Sequence, residues 1–267
     1  MADTAVVIDK DRCVGCGACV DDCFPGALRL AGGVAAWSGR CIECGHCVAV
    51  CPRGAVSFAG YDMAQVEAYD PAGCAPDAAV LANALKFRRS IRSYEARPLS
   101  DEVVGAMADA VRYTPTACNA QGTSLVVVRE GMEEFRRLVW EELPGVASAM
   151  ERTSPAHATA FRGLLGRHAA LGEDPLLFNA PAFVALVSSN LWDAAMAAAH
   201  IEMAVAARGA GVLHSGYLKR IVGASERLRA WLGLGEGDEA ACCMLAGYPA
   251  VRYLRTAPRR PVRVVER

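Results

Sequence analysis

The chain has 267 residues, 53% of them hydrophobic and 21% charged, with a formal net charge of -1. That is the composition of a globular protein, not a disordered one. A near-neutral charge gives no electrostatic case for a nucleic-acid or polyanionic partner. The longest apolar stretch, residues 180–213, is interrupted by Asn190, Asp193, His200, Glu202 and Arg208. A spanning helix needs ~20 apolar residues with few charges, so no membrane partner is expected. Twelve cysteines decide more, because eight of them fall in the first 51 residues. Residues 1–11 carry no apolar core of a signal peptide. The expectation is a cytoplasmic protein whose thiolates bind metal rather than pair as disulfides.

Residues 1–60 read as one domain with an internal repeat. Cys13-Val14-Gly15-Cys16-Gly17-Ala18-Cys19 recurs as Cys41-Ile42-Glu43-Cys44-Gly45-His46-Cys47. Each copy closes on a fourth cysteine and a turn, Cys23-Phe24-Pro25-Gly26 and Cys51-Pro52-Arg53-Gly54. Short β-rich runs flank the repeats at 6–9 and 55–58. The pattern C-x2-C-x2-C-x3-C is the bacterial ferredoxin run, in which the fourth cysteine ligates the other cluster. Thiolate is soft enough to hold iron–sulfur iron. Cys13, Cys16, Cys19 and Cys51 are therefore expected on one 4Fe–4S cluster, and Cys41, Cys44, Cys47 and Cys23 on the other. Structural zinc, the alternative, pairs separated C-x2-C knuckles with four ligands in all, which fits this repeat poorly. Over residues 4–60 the chain resembles the two-cluster bacterial ferredoxins. The resemblance implies a pseudo-twofold module that moves one electron per cluster. His46 reads as a loop residue near the cluster, not a ligand.

Residues 61–77 contain Pro71, Gly73 and Pro76 and no clear period, and read as a linker or wrapping arm. From Ala78 helical spacing begins, and the chain leaves the helix at 88–94. Ser100 can cap a helix with Asp101 and Glu102 in its first turn, ending near Tyr113 before Thr114-Pro115. Strands are predicted at 125–128, 182–187 and 240–246, and helices at 133–142, 191–208 and 225–232. Strands mixed with helices without strict alternation predict an α+β fold.

Four pieces of this region carry candidate chemistry. Arg88-Arg89-Ser90-Ile91-Arg92 can clamp a phosphate, because guanidinium matches phosphate oxygens bidentately; alone, such a run is more often a solvated helix end. Thr114-Pro115-Thr116-Ala117-Cys118-Asn119-Ala120-Gln121 puts two amides at a strand entrance, or is a plain turn. Gly209 to Gly216 follows the long helix, where glycines let backbone approach a planar ring or simply cap the helix. Gly247-Tyr248-Pro249 follows the last strand, and Pro258-Arg259-Arg260-Pro261 stands near the end.

In this order the four pieces resemble the nitroreductase-like flavoproteins over about residues 80–262. The family's R-x-S-x-R is matched by Arg88, Ser90 and Arg92, and its P-S/T-x-x-N-x-Q loop by Pro115, Thr116, Asn119 and Gln121. Its G-x-G helix end and five-residue turn to glycine are matched by Gly209, Gly211 and Gly216, and its closing G-Y-P and P-R-K/R-P by residues 247–249 and 258–261. The resemblance implies an α+β domain over 78–267 with a mixed sheet flanked by helices, and a homodimer with FMN at the interface. It implies that Arg88, Arg89, Ser90 and Arg92 hold the FMN phosphate and ribityl side, with Arg259 or Arg260 closing on the same phosphate. It places Pro115, Thr116, Asn119 and Gln121 along the flavin, and Val212 and Leu213 beside the isoalloxazine. Two positions depart from the family: Gly122-Thr123 replaces a common Pro-Trp, and His214 stands where many members have tryptophan. His214 is a proton donor near the flavin or a polar filler. His200 reads as a packed core histidine, and Cys118, Cys242 and Cys243 as small buried hydrophobes.

Two modules on one chain imply an oxidoreductase. An external low-potential donor such as ferredoxin feeds two 4Fe–4S clusters, then FMN, which reduces a small electron-poor nitro, quinone or enone-like substrate. The alternatives are an NAD(P)H-dependent nitroreductase with regulatory clusters, and a non-enzymatic electron carrier. No catalytic acid is assigned. Anaerobically purified chain is expected to carry about eight iron and eight acid-labile sulfide, as two cubanes require. Elemental analysis checks this, and stoichiometric zinc without sulfide would exclude the clusters.

Overall fold

The structure, a computed structural model, describes residues 6–267. Residues 1–5, where the expected ferredoxin-like domain begins, lie outside the described residues. The chain divides into two units, one of Met1–Ala75 with Thr116–Ala120, the other of Pro76–Pro115 with Gln121–Arg267.

In the first unit β1 (Val6–Ile8) pairs antiparallel with β4 (Val56–Phe58), and β2 (Leu28–Ala31) with β3 (Val34–Trp37). Two single-turn helices, α1 (Ala18–Asp21) and α2 (His46–Ala49), carry the third cysteine of each repeat inward. Val6, Leu28, Ala35, Val56 and Phe58 form a small core together with Cys19 and Cys47. So few apolar residues give little burial energy, and metal is a usual supplement at this size. The segment expected as a linker holds a 3-10 turn at Met63–Gln65 and α3 (Pro71–Cys74), capped by Asp62 and Asp70. Both side chains accept a bond from a backbone N–H two residues on, as Asp does at a cap.

The second unit opens with α4 (Ala78–Phe87) and α5 (Asp101–Arg112). Ser100 caps α5, accepting from Val103 N. Next come β5 (Ser124–Val128), α6 (Met132–Ala149), α7 (Pro155–Leu171) and β6 (Ala182–Val187). The chain ends with α8 (Leu191–Ala206), β7 (Gly211–His214), α9 (Gly216–Ala224), α10 (Glu226–Trp231) and β8 (Ala240–Gly247). The sheet runs β5-β6-β8-β7.

The α+β architecture stands, but the sheet differs from the mixed one expected: every described pairing in it is antiparallel. The β6–α8–β7 connection does leave β6 and β7 parallel to each other, as a helical crossover requires. β8 enters between them, so the parallel strands never touch.

All six residues of β6 are buried, because helices cover both faces. Ala182, Val184 and Leu186 face α5 and α8, where Ala194, Ala197 and Ala198 let the helix approach closely. Phe183 and Ala185 face α6, α7 and α9. Phe135 and Phe183 stack there with ring centroids 4.3 Å apart, each worth ~2–3 kcal/mol of burial. Helix α6 continues through Pro144, past the predicted end at Glu142. Proline costs a backbone N–H bond, and the buried Leu143, Val146 and Ala147 hold the turn beyond it.

Candidate functional site

Cys13, Cys16, Cys19 and Cys51 line one cavity, with Leu30 and Val56 on its wall. Burial raises the Cys19 thiol above its ordinary value, and the nearby Cys51, Cys13 and Cys16 raise it further. In the second copy burial and the neighbouring Cys41 and Cys44 push Cys47 up to about 11. Thiols crowded in this way resist ionising together unless a metal supplies positive charge.

Four backbone N–H groups aim at these sulfurs. Ala27 N and Ala55 N donate to Cys23 Sγ and Cys51 Sγ, each at 3.2 Å. Ala35 N donates to Cys13 Sγ at 3.4 Å, and Glu43 N to Cys41 Sγ at 3.2 Å. The two Pro-Gly turns are thus copies: the glycine N–H returns to the cysteine carbonyl, and the next alanine N–H points at the sulfur. Among the described residues no three His, Cys, Asp or Glu side chains converge on a single metal ion. His46 Nδ1 lies 3.1 Å from Asp22 Oδ2, a surface pair and not a ligand contact.

In the second unit three of the four singled-out segments meet. Ile91 N donates to Val212 O at 3.1 Å, Glu95 N to Tyr248 O at 2.8 Å, and Ala250 N to Ser93 O at 3.0 Å. Tyr94 forms a β-bridge with Pro249 and donates its hydroxyl to Ile91 O. Burial raises the Tyr94 phenol, against the charge of Arg92. A Cβ on Gly211 would stand 2.6 Å from Ile91 Cγ1, so this approach requires glycine.

On this seam Arg88 Nη1 binds Glu202 Oε1 at 2.9 Å, and His214 Nε2 lies 3.5 Å from the other oxygen. Arg89 lies over the Tyr253 ring. Ser90 is half-buried and Arg92 exposed. Val212 and Leu213 are buried in β7, and Val212 O is already engaged by Ile91. Arg259 and Arg260 are exposed in the coil that follows β8.

The fourth segment is divided. Pro115 and Gln121 belong with the second unit, while Thr116 and Asn119 belong with the first. Asn119 Nδ2 donates to the carbonyls of Ile42 and Glu43 at 3.2 and 2.9 Å. Cys118 is exposed rather than buried, and the backbone there is left-handed at φ 52°. Cys243 is buried, which holds its thiol at about 12. His200 is not a core residue: it lies on the exposed side of α8, with Nδ1 2.7 Å from Thr114 Oγ1.

Glu202 escaped assignment. Its signal was present as the one acid in the middle of an alanine-rich helix. Burial alone would raise its carboxyl; hydrogen bonds and charge from His214 and Arg88 outweigh this and hold it below the usual range.

Comparison with known proteins bears on both units. A family model for the nitroreductase family matches residues 85–248, and a 4Fe–4S dicluster domain matches residues 5–52. A nitroreductase with bound FMN from Desulfitobacterium hafniense DCB-2 is 21% identical, with a TM-score of 0.55 over 69% of this chain and 97% of that one. One from Bacteroides fragilis NCTC 9343, also with bound FMN, is 19% identical, with a TM-score of 0.53 over 70% and 98%. An FMN-dependent nitroreductase from Clostridium difficile R20291 is 18% identical, with a TM-score of 0.50 over 70% and 97%. At such identities these neighbours establish the fold. No curated protein matches the chain.

The Glu202 cluster predicts a pH dependence. A carboxylate with a lowered native pKa stabilises the fold above its unfolded value, ~4.3, and loses that contribution as pH falls through the native value. Glu202→Gln is expected to cost about 1–2 kcal/mol near neutral pH, discounted for the partial exposure of Arg88. The gap from the native chain should close as pH falls below ~4.3, read by urea unfolding across that range.

Proposed function

Because the chain belongs to the nitroreductase family, we propose that it is an FMN-dependent oxidoreductase fed through two 4Fe–4S clusters by an external low-potential donor such as ferredoxin. A cluster supplies one electron at a time and FMN supplies one or two, so the pair suits two-electron reduction of a small nitro, quinone or enone-like substrate. The observation that carries this is the hydrogen-bonded seam that fixes Arg88, Arg89, Ser90 and Arg92 against β7 and the segment after β8. Guanidinium groups on so fixed a backbone bind a phosphate without first having to be ordered.

The cluster ligands are Cys13, Cys16, Cys19 and Cys51 for one cubane and Cys41, Cys44, Cys47 and Cys23 for the other. Arg88, Ser90 and Arg92, with Arg89 beside them, hold the FMN phosphate and ribityl chain. Pro115 and Gln121 border the flavin, with Val212 and Leu213 beside its ring. Arg259 or Arg260 closes on the phosphate. A homodimer with FMN at its interface is supported by apolar side chains left on two helices. These are Val80, Leu81, Leu85 and Phe87 of α4, and Leu191 and Trp192 of α8. Contiguous apolar surface of this kind marks an association site. Reduced thiol ligands fit a cytoplasmic location, and no helix among the described residues is long and apolar enough to cross a membrane.

Arg92→Ala is expected to weaken FMN binding by about 1.5–3 kcal/mol, the worth of a charge-assisted phosphate contact. Flavin fluorescence titration measures it, and unchanged affinity would place Arg92 outside the site. The electron route is tested by anaerobic stopped flow. Reduced ferredoxin should bleach the flavin of the full chain rapidly, and Cys47→Ser should abolish this while leaving reduction by dithionite intact. Rapid reduction by NAD(P)H, equal in both proteins, would take the clusters off the path.

A further inference from the structure

Asn119 sits in the segment that the resemblance gives to the flavin, yet its amide is spent on the second cysteine loop. We propose that Asn119 is a positioning residue for the cluster of Cys41, Cys44, Cys47 and Cys23 and sets its reduction potential. This rests on the iron–sulfur assignment made above.

The two cysteine loops differ at three positions, and one of them, Gly15 against Glu43, falls where the backbone is left-handed. Gly15 lies between the first two cysteines of the first copy at φ 64°, and a Cβ there would collide with the Gly33 carbonyl. The matching residue of the second copy is Glu43, left-handed at φ 55°. A glutamate in that region is strained and persists only where its surroundings hold it. Here Tyr61 donates its hydroxyl to Glu43 Oε2 at 3.1 Å, and Asn119 Nδ2 donates to Glu43 O at 2.9 Å.

The second Asn119 bond reaches the sulfur. Ile42 O and Glu43 N belong to one peptide group. Asn119 Nδ2 donates to that carbonyl at 3.2 Å, and the same peptide's N–H donates to Cys41 Sγ at 3.2 Å. A donor on the carbonyl polarises the peptide and strengthens its N–H as a donor. Hydrogen bonds to cluster sulfurs stabilise the added electron and help set the potential. Asn119 is aimed by its own backbone, since Cys118 and Asn119 are both left-handed, at φ 52° and 53°, a conformation asparagine tolerates better than most residues.

The test is a redox titration of the anaerobic full chain followed by electron paramagnetic resonance, for the native protein, Asn119→Ala and Asn119→Asp. In Asn119→Ala the midpoint of one cluster should fall and the other stay, with native iron, sulfide and FMN contents. In Asn119→Asp, which keeps the shape but replaces the donor with a negative charge, the same midpoint should fall further. Unchanged midpoints in both variants overturn the assignment, and FMN loss beside unchanged midpoints returns Asn119 to the flavin. Failure of the iron–sulfur assignment itself shows separately, as a native chain without acid-labile sulfide.

Discussion

The approach of the 88–95 segment to the backbone of β7 is the contact on which the second unit's chemistry depends. It exists because Gly211 has no Cβ to meet Ile91. Once Ile91 N reaches Val212 O, Glu95 N reaches Tyr248 O and Ala250 N reaches Ser93 O in register, and the backbone that carries three arginines within five residues is fixed in place. Three guanidinium groups so close repel one another. Glu202 offsets Arg88, and the Tyr253 ring lies under Arg89, where a cation is attracted by the π face. Arg92 remains exposed to solvent. The arrangement keeps a net positive patch while lowering the cost of assembling it.

The first unit faces the opposite problem, since its ligands become negative. Crowded thiolates are held up by burial and by one another. One device answers this directly, backbone N–H groups aimed at sulfur, and the positive charge of a bound cluster would be a second. Cys19 and Cys47 belong to the small apolar core of the unit, so a 4Fe–4S cluster held there would be part of the fold as well as of the chemistry, and its loss would loosen the unit.

The parts legible in sequence are those where one physical signal dominates. The C-x2-C-x2-C-x3-C repeat admits few chemistries, and the wholly apolar 182–187 run could only be a buried strand. Ser100 before two acids marked a helix start. What escaped depends on tertiary context. β7 reads as a glycine-rich loop, because its glycine serves the approach of Ile91 and not a turn. α7 buries only Ala158 and Phe161 within its length, too few to show a period. Pro144 ends a helix locally, and only packing carries α6 past it. The Asn119 contacts and Glu202 were passed over for one reason: a polar side chain's partner lies far along the chain, and nothing local names it.

The two copies of the repeat share their cysteine spacing but not their hydrogen bonds. Both copies carry four cysteines at the same spacing, and each fourth cysteine receives the N–H of the alanine four residues on. The first cysteines differ. Cys13 Sγ takes its donor from Ala35 on β3, 22 positions away, while Cys41 Sγ takes its donor from Glu43 in its own loop. A donor on a hairpin is fixed by the sheet. A donor inside the loop is only as fixed as the loop, and there the strained Glu43 depends on Tyr61 and Asn119. Potentials follow hydrogen bonds, charge and solvent as much as ligands. Two identical ligand sets therefore need not share one potential, and an offset between them would give electrons a preferred direction through the module.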